Sequence, residues 1–319
     1  MRLKNNCFYS HSRIFYFYPV KPQTKAHVFI GAANILYGIN YAIGKIALKS
    51  ISPFAIVLVR ISVCMILFWV LHAIFIKEKT ERRDHGKLIL AAFFGVSANQ
   101  LLFFKGLSLT SEMHSALIMI TTPIIVLLMG WLILKDKITW KHVLGILIGA
   151  GGVALLITAG ASDANSPSNL LGDFCIMLNA TSYAIFLVIA KPLMVKYSPF
   201  TITKWIFLYG FIMALPFGIG DVIHTNWQTL GTITIISLAY VVFGATFLAY
   251  LFNVLGLNFG TPTLVSIYIY VQPVIASIIS IALKTDVITV EKIISALLVF
   301  TGVALVSFTA KQPNPTQIT

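Results

Sequence analysis

Ten apolar stretches, each roughly 20 residues long, occupy most of this chain: about 27–48, 54–76, 87–108, 112–134, 142–159, 169–193, 201–220, 230–255, 262–283 and 291–309. A helix rises ~1.5 Å per residue, so a run of ~20 matches the ~30 Å hydrocarbon core of a bilayer. The runs are continuous rather than alternating, which argues for helices and against a barrel. Of 319 residues, 58% are apolar and only 10% charged, where a soluble domain carries about 25% charged. Lipid is the solvent such a surface requires, and there the backbone must satisfy its hydrogen bonds within the spanning segments.

The runs divide into two related sets of five. Pro123, Asp136-Lys137-Ile138-Thr139 and Gly152-Val153-Ala154-Leu155 recur as Pro273, Asp286-Val287-Ile288-Thr289 and Gly302-Val303-Ala304-Leu305, always 150 positions on. Ten of the 35 positions in 121–155 are identical in 271–305. Gly106-Leu107 recurs as Gly256-Leu257. Upstream, Tyr37, Lys45 and Ser52-Pro53-Phe54 recur as Tyr183, Lys191 and Ser198-Pro199-Phe200, now 146 positions on. The difference of four fits a longer connection before the eighth run. We divide the chain into a leader (1–26), a first repeat (27–159), a linker (160–168), a second repeat (169–309) and a tail (310–319). A duplicated helical bundle is the mark of transporters built from structural repeats.

A net charge of +13 raises the question of nucleic acid, but the charge is sided. With the amino terminus inside, 17 of the 23 basic residues fall on the cytoplasmic side, among them Lys77, Lys79, Arg82, Arg83 and Lys87 between the second and third runs. The connections 160–168 and 221–229 hold no Lys or Arg. This positive-inside bias places both termini of a multi-pass membrane protein in the cytoplasm, so the expected partners are lipid and a small solute rather than nucleic acid. Cys7, Cys64 and Cys175 offer neither a disulfide framework nor metal spacing, and no cofactor or metal site is expected. The aromatic and basic leader lacks the apolar core of a signal peptide. It reads either as an interfacial segment or as an untranslated extension before a start at Val20.

Polar groups inside the runs are the candidate solute contacts. Asn34, Tyr37 and Asn40 share a stripe of the first run. Asn99 and Gln100 lie mid-way along the third. Asn179 and Tyr183 share a face of the sixth, Tyr250 and Asn253 of the eighth, Tyr268 and Gln272 of the ninth. An amide facing hydrocarbon without a partner costs several kcal/mol, about 2–7, so these eleven groups face protein or water; interhelical bonding is the plainer role for any one of them, and a shared wet cavity the better reading of the set. Arg60 joins them, its planar fork suited to a carboxylate or phosphate. Lys45, Lys105 and Lys191 lie near run ends, where snorkelling to the interface accounts for them. All ten acids lie in connections or at run ends, so a carboxylate proton relay has no support. His72 is the one histidine well inside a run and reads as core. Pro123 and Pro273 are expected to kink their helices, freeing the carbonyls of Met119 and Ile269 and shaping a cavity as hinge or break. Asp136 and Asp286 read as turn residues ahead of capping Thr139 and Thr289. Gly145 and Gly149 form a G-x-x-x-G face, for packing inside the repeat or for a homodimer contact.

These residues carry a family resemblance. The first run reads Leu36-Tyr37-Gly38-Ile39-Asn40-Tyr41-Ala42-Ile43-Gly44-Lys45, followed by Ser52-Pro53-Phe54 and Arg60. The third holds Gln100-Leu101-Leu102-Phe103-Phe104-Lys105-Gly106-Leu107. The fourth starts Thr122-Pro123 and ends at Asp136, where Glu is commoner, and the fifth is glycine-rich from Gly145 to Gly152. Over roughly 27–309 the chain resembles bacterial EamA-type permeases of the drug/metabolite transporter superfamily. The resemblance implies an all-α integral membrane protein of ten transmembrane helices in two five-helix inverted repeats. It also implies a central substrate cavity reached alternately from either side. The expected function is secondary transport of an amino acid, organic acid or related metabolite, or drug efflux. A non-transporting membrane assembly or interaction protein is the alternative. An intramembrane enzyme is disfavoured, because no H-E-x-x-H and no paired central acids occur.

Overall fold

The computed structural model describes residues 21–110, 112–159, 169–282 and 288–309. The leader up to residue 20, the 160–168 linker, Asp286 and the tail lie outside the described residues. Ten helices are long and apolar enough to span a membrane: α1 Pro22–Leu48, α2 Pro53–Phe75, α3 Arg82–Leu109, α4 Ser115–Leu134, α5 Trp140–Ile157, α6 Leu170–Lys196, α7 Pro199–His224, α8 Thr232–Phe259, α9 Pro262–Ile279 and α10 Val290–Phe308. No strand occurs among the described residues. The expected spans are all present. Two begin earlier than hydropathy placed them. α1 starts at Pro22, where proline at the first helical turn forfeits no hydrogen bond, and α3 opens with a short 3-10 turn over Arg82–Asp84.

Local chemistry sets the same boundaries in both halves. Ser52 caps α2 by accepting from Ala55 N at 3.2 Å, and Ser198 caps α7 by accepting from Thr201 N at 3.2 Å; each is followed by proline. Thr139 and Thr289 cap α5 and α10, accepting from His142 N and Lys292 N at 3.4 Å. The four-residue change of offset is also accounted for. α7 is 26 residues long where α2 is 23, and the connection after it, 225–231, is one residue longer than its counterpart 76–81.

Helix partners are preserved when the halves are exchanged. α1 packs on α8 and α3 on α6; α2 packs on α7 and α5 on α10. The packing is antiparallel and residue-matched. Gly256 abuts Ile30 and Gly106 abuts Ile176, with no room for a methyl group at either glycine. Those two contacts are repeat images of one another. Gly145 packs on the Gly302 carbonyl and Gly152 on the Ser295 carbonyl, again an exchanged pair. This is the contact pattern an inverted repeat produces. It also places the glycine face of α5 against α10 of the opposite repeat, rather than inside its own repeat.

Four helices depart from regular α geometry. α3 contains a π segment over Phe93–Ser97 and α8 one over Tyr240–Leu248, at matching positions of the two repeats; α4 ends in a third, Gly130–Leu134. α4 also breaks at Ile120–Thr121 ahead of Pro123, and α9 tightens to a 3-10 turn over Tyr268–Tyr270 ahead of Pro273. The expected breaks are present, yet the carbonyl seen to be used is neither of those anticipated. Tyr270 Oη donates to Ile120 O at 2.8 Å. The two residues are 150 apart, so the broken helices meet at equivalent points.

Candidate functional site

The π segments do the local work that opens a site. A π turn displaces backbone carbonyls from the regular ladder, and neighbouring side chains take them up. Ser182 Oγ donates to Phe94 O at 2.8 Å, Tyr250 Oη reaches Gly95 O at 3.5 Å, and Cys64 Sγ lies 3.6 Å from Val242 O. Thr246 Oγ1 donates to Val241 O at 2.6 Å while accepting from Arg60 Nε at 2.6 Å. Sequence patterning gave no signal for these segments, because a π turn carries no composition of its own.

Between α1–α4, α6, α8 and α9 lies a cavity of about 90 Å³. Tyr37, Asn40, Arg60, Asn99, Gln100, Asn179, Tyr183, Tyr250 and Gln272 all line it. Repeat mates face each other across it: Tyr37 with Tyr183, Gln100 with Tyr250, and Met119 with Ile269. The last pair, together with Tyr41, Phe103 and Ala245, was not anticipated. Tyr41 and Phe103 lie one helical turn beyond Tyr37 and Asn99, a signal available from spacing; Met119 and Ile269 each sit four residues before a proline.

Arg60 is the one charged group among the described residues that line the cavity. It is 5% exposed. Its guanidinium carbon stands 4.8 Å from the centroid of the Phe104 ring, and Thr246 holds its Nε. Among the described residues no carboxylate forms an ion pair with it. Among the described residues the guanidinium is compensated by a ring and a hydroxyl, which leaves donors of its fork able to meet an anionic group. The amides around it divide their work. Asn179 Nδ2 donates to Asn99 O at 2.7 Å and Asn99 Nδ2 approaches Asn179 O at 3.4 Å, which ties α3 to α6. Asn40 Oδ1, Gln100 Oε1 and Asn179 Oδ1 remain buried without a protein partner. Three acceptor oxygens beside one guanidinium suit a solute carrying donors as well as an anionic group.

Three expected lining residues do not line the cavity. Asn34 donates to Ile30 O at 2.8 Å and accepts from Gln272 Nε2 at 2.7 Å. Asn253 accepts from Tyr183 Oη at 2.9 Å. Tyr268 Oη lies 2.6 Å from His27 Nδ1, toward the end of α1 nearest the amino terminus. Each is drawn away by a polar partner on another turn or helix, which a stripe read from one helix alone does not reveal. Pro273 borders a smaller void beside the main cavity, with Tyr41 and Met119. Lys45 and Lys191 are held by backbone carbonyls rather than snorkelling. Lys45 Nζ donates to Leu107 O and Thr110 O at 2.6 and 2.8 Å; Lys191 Nζ donates to Leu257 O, Asn258 O and Gly260 O at 2.8, 3.2 and 2.6 Å. Each lysine satisfies the carboxyl end of the third helix in its own repeat, where helix carbonyls have no intrahelical donor. His72, read as core, is buried and bonds Thr201 Oγ1 at 3.1 Å with Lys204 Nζ at 3.3 Å. No cluster of three metal-ligating side chains occurs among the described residues.

Ten spanning helices around a cavity lined by amide, tyrosine and apolar side chains and by one guanidinium fit a multi-pass membrane transporter. The chain belongs to the EamA-like transporter family, whose profile matches residues 24–158 and 170–308. Among its relatives is an uncharacterized transporter, YetK, of Bacillus subtilis (strain 168), 27% identical over 303 residues, covering 92% of this chain and 90% of that one. An uncharacterized transporter of Archaeoglobus fulgidus is 24% identical over 282 residues, covering 88% and 98%. A solved crystal structure superposes with a TM-score of 0.70 at 14% identity, covering 90% of this chain and 98% of that one. At that identity the likeness speaks for the fold.

Proposed function

We propose that this chain is a secondary transporter that carries a small solute bearing a carboxylate or other anionic group, an amino acid or organic acid, by alternating access through the cavity around Arg60. Both termini lie in the cytoplasm, and the membrane is the bacterial inner membrane. The observation that carries the reading is Arg60: a buried guanidinium in a polar cavity whose walls bring no counter-charge. Holding an unpaired cation there costs stability, and a bound anion repays it. The size of the cavity limits the cargo. At about 10–15 Å³ for each water, 90 Å³ holds on the order of six to nine water-sized groups, the size of a small metabolite. The aromatic wall of Tyr37, Tyr41 and Phe103 supplies an apolar side for it.

The test is ligand-dependent thermal stabilisation of purified protein across a panel of carboxylates, their matched amides and organic cations, since a ligand that binds the folded state raises its melting temperature. Carboxylates are expected to stabilise the wild type and to lose that effect in Arg60→Gln, with the unliganded melting temperature preserved. Stabilisation by organic cations, or carboxylate binding undiminished in Arg60→Gln, contradicts the proposal.

A further inference from the structure

α2 meets the π segment of α8 at two levels, one turn apart. Arg60 Nε donates to Thr246 Oγ1 at 2.6 Å, and Cys64 Sγ lies 3.6 Å from Val242 O. Exchanging the halves turns this junction into one between α7 and the π segment of α3. There the image of Arg60 is Ile206, that of Cys64 is Gly210 and that of Thr246 is Val96. Ile206 and Val96 are fully buried, and a Cβ on Gly210 would stand 2.5 Å from Val96 Cγ1. Alkyl groups at the image positions join the same two elements, so packing alone does not require a hydroxyl at 246. Arginine and threonine have departed from the repeat together, as the two partners of one bond.

The hydroxyl of Thr246 has one hydrogen, and it is already engaged. Thr246 Oγ1 donates to Val241 O at 2.6 Å, five residues back along the π segment. In a regular helix a threonine reaches the carbonyl three or four residues back; reaching the fifth reflects the wider π turn. With the hydrogen directed there, the lone pairs of Oγ1 are left for the guanidinium, and Nε–H is the donor they take. Both residues are buried.

The rest of the guanidinium is constrained as well. Its carbon stands 4.8 Å from the centroid of the Phe104 ring. With Nε occupied, the edge carrying Nη1 and Nη2 remains for a solute in the cavity that Arg60 lines. Among the described residues no side chain or carbonyl accepts from that edge. It offers two parallel N–H donors, the spacing that the two oxygens of a carboxylate match.

We propose that Thr246 is a positioning residue of the solute site: its hydroxyl, aimed by Val241 O, holds Nε so that Arg60 presents its Nη edge to both oxygens of a carboxylate. The proposal rests on the anionic-solute reading above and narrows it. A carboxylate is preferred to a solute of the same shape that offers one acceptor, such as its primary amide. The π segment of α8 then contributes to specificity, because it supplies both the hydroxyl and the carbonyl that aims it.

The test compares lactate, succinate and L-alanine, each with its primary amide, by the concentration dependence of thermal stabilisation. The proteins are wild type, Thr246→Val, Thr246→Ser, Arg60→Gln and the double variant of Arg60→Gln with Thr246→Val. Valine is the residue at the image position and keeps the shape of threonine. Thr246→Val is expected to lower the preference for acid over amide by about ten- to hundredfold, the range for losing a hydrogen bond to a charged group. Thr246→Ser keeps the hydroxyl and is expected to keep the preference. Adding Thr246→Val to Arg60→Gln is expected to change the preference no further, since no guanidinium is left to hold. The unliganded melting temperature shows whether each variant folds, and Thr246→Ala replaces the valine variant if that one does not. Preference kept in Thr246→Val, or acid and amide weakened there by the same factor, overturns the positioning role; loss of acid binding in Arg60→Gln alone leaves the anionic-solute reading standing. Equal binding of acids and amides by the wild type overturns both.

Discussion

Three cations within the spanning helices do two different things. Lys45 and Lys191 are repeat images, and each closes the end of a helix by donating to two or three backbone carbonyls. Arg60 has no basic image and no such duty. Depth along the run set Arg60 apart in the sequence, but the duty of the lysines was not legible there, because their acceptors are carbonyls and every residue carries one. Lys191→Met is expected to destabilise the protein by about 1–3 kcal/mol, the penalty for buried carbonyls left without donors, and to leave solute affinity unchanged in the surviving folded fraction. Denaturation and binding measured on the same preparation check this. The cavity amides allow a sharper test than their tyrosine partner. Gln100→Ala removes an acceptor with no protein partner and is expected to weaken binding with little loss of stability. Tyr250→Ala empties a site packed by Phe186 and Phe207, at about 3–5 kcal/mol. Tyr250→Phe is therefore the informative change there.

At the level of helices, sequence was most informative where periodicity and caps decide the outcome. Ser52-Pro53, Ser198-Pro199, Thr139 and Thr289 mark helix starts because hydroxyl capping needs only local chain geometry. The glycine face of α5 was legible as a packing surface but not as to its partner. The partner is α10, brought alongside by an arrangement that only long-range packing specifies. Two adjacent glycines separate the contributions. Gly152 faces α10, and a Cβ there would stand 2.9 Å from Ser295 O and 3.0 Å from Val299 N; backbone cannot move aside, so Gly152→Ala is expected to cost about 1–3 kcal/mol. Gly151 has nothing within 4 Å. Gly151→Ala is expected to be neutral or to stabilise by up to about 1 kcal/mol through helix propensity. Equal losses of melting temperature in the two variants would contradict this packing. The π segments were not legible at all, yet they free the carbonyls and the threonine that orient Arg60.

For the whole molecule, duplication explains why so much of the architecture could be anticipated. Matched motifs fix which helices are images of one another, and antiparallel images such as Gly106–Ile176 and Gly256–Ile30 meet as an inverted repeat requires. What duplication conceals is the site's departure from symmetry, above all Arg60, whose image is Ile206. The sidedness of the charge carries its own expectation. Asn226→Cys is expected to react with an impermeant maleimide in intact cells, and Arg82→Cys only after permeabilisation; the reverse pattern would invert the topology proposed here. The central claim is that a single cavity holding Arg60 carries an anionic solute across the membrane. Counterflow in proteoliposomes tests it most directly. Vesicles are preloaded with the carboxylate that most stabilises the purified protein, and uptake of the same labelled compound is followed. The account requires accelerated uptake by wild-type protein and loss of that uptake in Arg60→Gln at equal reconstitution. Wild-type uptake no faster than in protein-free vesicles, or equal uptake by the two proteins, would contradict it.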